Sequence, residues 1–349
     1  MDKLKNGTRF LSYRLERCIG KGAFGCVWSA QQEGSGQYVA IKFELPNLAK
    51  SLLTEEAEIT KAVSSCDSFP AYYGNGIEQG LNYLVIEMLG MSLRAFQENH
   101  TGGILSLNEV GPLAVSMVKA IQNFHNMGFV HRDIKPSNFV FRGRPDQNRL
   151  CLIDFGLAKR WRSPDGEVFK PRENVGFRGT SRYASINSHD GYDLGRRDDL
   201  WSFFYVLIEL CAPPLPWKSQ NDKDAVAQIK KRGVARLCTG LPSQFEEIAN
   251  HISSLGFADD PDYDLIIQKL EEVIEGAEAG SDCGVCLSEE YGSMALIVAP
   301  NCGSVFGSSS AVEGSWDNAE PVQAPDVYEG DNENDASGGH GKGGCCNLL

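Results

Sequence analysis

Four short polar runs, in a fixed order, limit what this chain can fold into more than anything else in it. They are Gly20-Lys21-Gly22-Ala23-Phe24-Gly25-Cys26-Val27, Val39-Ala40-Ile41-Lys42, His131-Arg132-Asp133-Ile134-Lys135-Pro136-Ser137-Asn138 and Ile153-Asp154-Phe155-Gly156. Each alone is ordinary, a Gly-rich turn or a surface Asp or Lys. Their order gains meaning from the pattern around them. Residues 13–43 alternate apolar and polar in short runs broken by Gly, which predicts three antiparallel strands joined by hairpins. Helical periodicity over 52–63 predicts one helix, and 82–88 reads as a strand. Residues 109–125 read as a long amphipathic helix after the N-cap candidate Asn108. Beyond Asp198 the pattern is helical, over 200–210, 223–231, 242–255 and 261–275. Strands first and helices later predict an α+β chain with a small antiparallel β-rich lobe and a larger helical lobe.

The residue types in these runs suit phosphate chemistry. In Gly20-x-Gly22-x-x-Gly25-x-Val27 the glycines let a hairpin close over a polyphosphate with no Cβ in the way. A dinucleotide-binding reading fails because a strand, and not a helix, follows. Lys42 supplies a fixed cation for α- and β-phosphates, and its natural partner is a carboxylate on the next helix. Glu56 shares a helical face with Leu53 and Ile59 and is preferred to its alternatives, Glu55 and Glu58. Asp133 is placed to accept a hydroxyl proton, and Lys135 to neutralise charge on a transferring phosphoryl group. Asn138 and Asp154 are the candidates to hold Mg2+, which keeps several waters and takes few protein oxygens.

In this combination, over residues 13–275, the chain resembles a eukaryotic protein kinase. Finer features narrow the likeness. Tyr183-Ala184-Ser185-Ile186-Asn187, in place of the usual Ala-Pro-Glu, is similar to the casein kinase 1 superfamily. Phe177-Arg178-Gly179-Thr180, Gly195-Arg196-Arg197-Asp198-Asp199-Leu200-Trp201-Ser202 and Leu215-Pro216-Trp217 look most like its tau-tubulin kinase branch. The resemblance implies a bilobal protein kinase fold, with an N-lobe over 13–88 and a C-lobe over 89–275. It implies an ATP- and Mg2+-dependent serine/threonine kinase, with Gly20, Lys21, Gly22, Gly25, Val27, Ala40 and Lys42 around the nucleotide. Ile86 would be the gatekeeper, with Glu87, Met88 and Leu89 forming a hinge that reads adenine through backbone groups. Asp199 would brace the catalytic loop, and activity would be constitutive, although Arg132 retains the means to bind a phosphorylated loop. A kinase-fold scaffold of weak activity is the rival reading; Lys42, Asp133, Asn138 and Asp154 all being present disfavours it. A small-molecule kinase is disfavoured by the segment and helices around Asp198.

Charge then refines the substrate. The 349 residues carry 33 Lys+Arg against 46 Asp+Glu, a formal −13, which argues against a nucleic-acid-binding surface. Residues 276–349 hold 12 acidic residues and the single base Lys342, so the tail carries nearly all of that charge. The tail is also rich in Gly, Ser, Asn and Asp and reads as disordered, a region distinct from the kinase-like 13–275 and the short extension 1–12. Between Lys159 and Arg182 seven bases face three acids. Arg178 and Arg182, helped by Lys230 and Lys231, are the expected readers of acidic or already phosphorylated Ser/Thr sites on protein substrates. The eleven cysteines form no secreted disulfide framework, and no apolar run reaches a membrane span, so a cytoplasmic or nuclear monomer is expected. Cys346-Asn347-Leu348-Leu349 fits a prenylation motif, and Cys345 is a second acylation candidate, which together would give a lipid anchor at a membrane. Cys283-Gly284-Val285-Cys286 is half of a zinc site, with Cys302 and His340 as stray candidates; four ligands are needed.

Overall fold

The computed structural model describes residues 4–22, 25–44, 51–212, 214–233 and 235–278. The lipidation candidates Cys345 and Cys346 and the cysteine pair Cys283 and Cys286 lie outside the described residues, as do Ala23 and Phe24 of the Gly-rich run.

The first lobe is built on an antiparallel sheet. Strands β1 (Arg9–Phe10), β2 (Tyr13–Gly22), β3 (Gly25–Gln32) and β4 (Tyr38–Glu44) are followed by helix α1 (Leu52–Val63) and strands β5 (Tyr72–Glu78) and β6 (Leu81–Glu87). The sheet order is β1-β2-β3-β4-β6-β5. Strand alternation sorts its residues between two faces. Leu15, Ala30, Val39, Ile41, Phe43 and Val85 form one apolar cluster with Phe10. Val27 pairs with Lys42, and Ala40 with Ile86, so these four share the opposite face. The segment ahead of Tyr13, read as an extension, is part of the sheet: β1 pairs with β2, and Phe10 is buried edge-on against Phe43 and Tyr83.

Helix α1 follows from local chemistry. Ser51 caps it, its Oγ accepting from Thr54 N at 3.1 Å. The Glu44 carboxylate at the end of β4 accepts from Leu52 N at 2.7 Å and Leu53 N at 3.0 Å, an anion at the positive end of the helix. Leu53, Ala57 and Val63 are buried, and Glu56 is buried on the same side.

The second lobe contains α2 (Leu93–Glu98), α3 (Leu107–Asn126), β7 (Phe129–Val130), β8 (Phe139–Phe141), β9 (Leu150–Leu152), β10 (Lys159–Arg160), α4 (Ile186–His189), α5 (Arg196–Cys211), α6 (Lys223–Lys231), α7 (Ser243–Ser254) and α8 (Tyr263–Glu278). Helix α5 is buried almost all round, as expected of a helix at the centre of a core. Its Leu200, Phe203, Phe204, Val206 and Leu207 lie in one cluster with Met117 and Ile121 of α3 and Ile266 of α8. Two small sheets, β8–β9 and β7–β10, frame the polar runs. His131 follows β7, Asn138 precedes β8, and Asp154 stands between β9 and β10.

Several boundaries differ from the sequence reading, among them the end of α8 at Glu278, and two have a clear local cause. Helix α5 begins at Arg196, because Asp198 Oδ2 accepts from Gly195 N at 2.8 Å and its Oδ1 from Ser185 Oγ at 2.7 Å. Helix α3 begins two residues before the expected start. Ser106, and not Asn108, is its N-cap, and the Glu109 carboxylate accepts from Ser106 N at 2.9 Å and Ser106 Oγ at 2.7 Å. Ser106→Ala should therefore cost about 1 kcal/mol of stability in urea unfolding. Asn108→Ala, at an exposed position, should stay within about 0.5 kcal/mol of the wild type; the reverse order would contradict this assignment.

Candidate active site

A partly enclosed lysine joins the two lobes. Lys42 Nζ of β4 donates to Glu56 Oε1 at 2.9 Å, Glu56 Oε2 at 2.7 Å and Asp154 Oδ1 at 2.9 Å. Glu56, preferred over Glu55 and Glu58 on helical phase, is the partner. Desolvation pulls the Lys42 ammonium down, but the carboxylates of Glu56 and Asp154 outweigh it and hold the ammonium above its ordinary range. Burial also acts on Asp154, yet Lys42 holds its carboxyl below the usual range. Glu56 is more deeply enclosed, and desolvation pushes its carboxyl up against the pull of Lys42. Two contacts under 3 Å to one ammonium are the geometry of an ionised carboxylate, so we take all three groups as charged.

The catalytic loop hangs from one buried acid. Asp199 of α5 accepts from His131 N and from Arg132 N, both at 2.7 Å, and from His125 Nε2 at 2.8 Å. Desolvation opposes its ionisation, but these donors, His125 foremost, hold its carboxyl below the ordinary range. His125 is itself fixed by Tyr263, its Nδ1 accepting from the hydroxyl at 2.6 Å. His131 Nε2 donates to Ile153 O at 3.0 Å, while Nδ1 accepts from Asp133 N at 3.2 Å, which ties this loop to the one bearing Asp154. Arg132 and Asp154 both have φ +68°, left-handed backbone that side chains adopt only when held.

Asp133 faces the cleft between two donors. Its Oδ1 accepts from Thr180 Oγ1 at 2.7 Å and its Oδ2 from Lys135 Nζ at 2.7 Å. Gly179 makes the first contact possible: at φ +90°, a Cβ there would fall 2.5 Å from Arg132 O. Asn138 Nδ2 donates to Asp133 O at 2.9 Å, which commits its nitrogen and leaves its oxygen for a ligand. That oxygen and the Asp154 carboxylate, whose side chain is 40% exposed, are hard donors suited to a divalent cation carried by phosphates. Phe155 packs beneath, stacked on Phe124 at 5.0 Å and edge-on to Phe69 at 5.9 Å.

The nucleotide candidates lie together on the sheet side. Gly20 pairs with Val27, Lys21 with Cys26 and Gly22 with Gly25 at the tip of the β2–β3 hairpin. Gly25 is sterically required, since a Cβ would sit 1.9 Å from Phe43 O. Val27, Ala40, Lys42 and Ile86 line the same face, and Glu87, Met88 and Leu89 follow at the crossing between lobes. The Glu87 carboxylate turns away, to Ala71 N and Arg142.

The substrate-reading group needs correction. Lys230 is 2% exposed, and its Nζ donates to Ser181 O at 2.8 Å and Ala184 O at 2.6 Å. It braces the loop from beneath and cannot meet a substrate; burial pushes its ammonium down to about 7. Lys231 is paired with Asp190 at 2.6 Å. Of the seven bases between Lys159 and Arg182, Lys159 and Arg172 are bound to Asp193, and Arg160 and Arg162 lie over Phe129 and Trp161. Arg178 is exposed, and Arg182 is 31% exposed beside the buried Glu209 at 3.5 Å. Sequence reasoning missed the roles of Asp193, Tyr263 and Arg142, which come from parts of the chain with no recognisable spacing to the motifs.

Comparison with known proteins agrees with this geometry. A family model described as "protein kinase domain" matches residues 13–271. A probable serine/threonine-protein kinase of Dictyostelium discoideum is 41% identical over 254 residues, 72% of this chain and 51% of that protein, so the match spans about half the relative's length. The chain belongs to the protein kinase domain family.

Proposed function

We propose that the chain is an ATP-dependent serine/threonine protein kinase of the casein kinase 1 superfamily, nearest its tau-tubulin kinase branch. The observation that carries the catalytic reading is the closed set of contacts from Lys42 to Glu56 and Asp154, with Asp133 held nearby between Lys135 and Thr180. Lys42, Asp133, Asn138 and Asp154, the groups that phosphoryl transfer needs, are all present, which disfavours the rival reading of a scaffold. The Dictyostelium relative, itself described as a probable serine/threonine-protein kinase, supports the same reading.

ATP would supply the phosphoryl group, and a divalent cation, Mg2+ by the donor set, would offset phosphate charge when bound. Lys42 would hold the α- and β-phosphates, and Glu56 would hold Lys42. Asn138 and Asp154 would hold the cation. Asp133 would orient the acceptor hydroxyl and take its proton; the Thr180 contact shows an aliphatic hydroxyl bonded to Oδ1. Lys135 would offset charge on the phosphoryl group in transfer.

For substrates, the exposed Arg178 and the half-buried Arg182 favour acidic or already phosphorylated sites, since among the described residues no acid pairs with Arg178, whose Nη1 donates to Phe177 O. No described helix is long and apolar enough to cross a membrane; attachment through Cys346 and Cys345 is the membrane route we propose, for a protein otherwise cytoplasmic or nuclear.

Asp133→Asn should lower kcat on the order of 10²- to 10⁴-fold with ATP binding retained, measured by steady-state kinetics on a protein substrate and nucleotide titration. Unchanged kcat would refute the role of Asp133. Arg178→Glu, with Arg182→Gln in place of a reversal that would oppose Glu209, should raise KM for acidic peptides on the order of tenfold and for neutral peptides much less. Equal changes for both peptides would refute the charge reading.

A further inference from the structure

The crossing between the lobes is clasped by an arginine outside all four polar runs. Arg142 follows β8 in the C-lobe, and its backbone N donates to Arg149 O at 2.8 Å across the β8–β9 hairpin. Its Nη2 donates to Glu87 Oε2 at 2.7 Å and to Phe69 O at 2.7 Å, and its Nη1 reaches Asp67 Oδ1 at 3.3 Å. One guanidinium thus joins the C-lobe hairpin, the loop after α1 and the last residue of β6. The arginine side chain is 20% exposed and that of Glu87 25%, so the pair is partly shielded from solvent.

The backbone is stitched at the same place. Glu87 N donates to Ala71 O at 2.9 Å, and Glu87 Oε2 accepts from Ala71 N at 3.1 Å. Gly90 N donates to Phe141 O and Phe141 N to Met91 O, both at 2.9 Å, so the crossing segment lies against β8 directly before Arg142. Leu152 N of β9 donates to Ser68 O at 2.9 Å. Every element the arginine touches is therefore also held by main-chain bonds, while the Glu87 side chain reaches the C-lobe through Arg142 alone among the described residues.

We propose that Arg142 is a positioning residue for the nucleotide: by gripping Glu87 it clasps the start of the crossing segment 87–91, whose far end is held to β8 by main-chain bonds, and so sets the distance between the sheet face of Val27, Ala40 and Ile86 and the C-lobe. The inference rests on the reading of that cleft as the ATP site. Arg142 touches no reacting group; it acts through Glu87. The fork divides its acceptors between two nitrogens, Nη2 taking Glu87 Oε2 and Phe69 O and Nη1 taking Asp67 Oδ1, a spread that the single nitrogen of a lysine would have to cover from one point.

The test uses the full chain, with Mg2+ and a non-hydrolysable ATP analogue titrated by calorimetry, and steady-state kinetics alongside. Arg142→Ala and Arg142→Lys are expected to weaken analogue binding about 3- to 10-fold, with KM for ATP rising more than kcat falls. Glu87→Ala should weaken it similarly, and the double variant Arg142→Ala/Glu87→Ala should be no worse than either alone, the sign of a shared interaction. The exposed pair member Arg94→Ala should leave binding at the wild-type value. Wild-type binding with unaltered affinity in Arg142→Ala, or additive losses in the double variant, would overturn the clasp while leaving the kinase reading intact. Failure of the wild type to bind the analogue would overturn the ATP-site reading, and the clasp with it.

Discussion

One ammonium, held between two carboxylates, constrains the rest of the site. Lys42 sits on a strand whose neighbours are apolar, and its charge is tolerable only because Glu56 and Asp154 close on it from α1 and from the loop after β9. Removing either carboxylate would leave the partly enclosed ammonium with only half of its compensation, so the two contacts fix its position together. The orientation of α1 against the sheet and the placement of the Asp154 loop are therefore not independent. The same three groups that satisfy one another's charge are those a triphosphate and its cation would engage.

The C-lobe supplies a second frame, built on the opposite principle. Helix α5 is apolar on nearly every side, and its few acids are spent on backbone and side-chain donors: Asp199 on His131, Arg132 and His125, and Asp198 on Gly195, Ser185 and Asn187. A rigid core helix thereby aims the loop bearing Asp133 and the segment bearing Thr180. The acceptor side is braced by Lys230, whose burial makes it unsuited to bind substrate and suited to hold the carbonyls of Ser181 and Ala184.

Much of this was legible in the sequence, for identifiable reasons. The strand pairings of residues 13–43, the bounds of α1 and α6 and the Lys42–Glu56 partnership follow from period-2 and period-3.6 patterns, which local burial enforces. Arg178 remained exposed as charge alone would suggest. What was hidden depended on contacts between distant positions. Lys230 looks like a solvated helix lysine, since nothing local announces the carbonyls above it. Arg142, Asp193 and Tyr263 act across more than 20 residues on partners with no motif. The start of α3 was misplaced because Asn108 is as good a cap by residue type as Ser106, and only the position of Glu109 three residues on separates them.

The most direct test of the account is to follow the label from γ-labelled ATP and Mg2+ onto an acidic protein such as casein, identify the modified amino acid, and repeat with Asp154→Ala. The account predicts phosphoserine and phosphothreonine with the wild type and none above background with the variant. Transfer that persists in Asp154→Ala, label found on tyrosine, or no transfer by the wild type to any protein would contradict it.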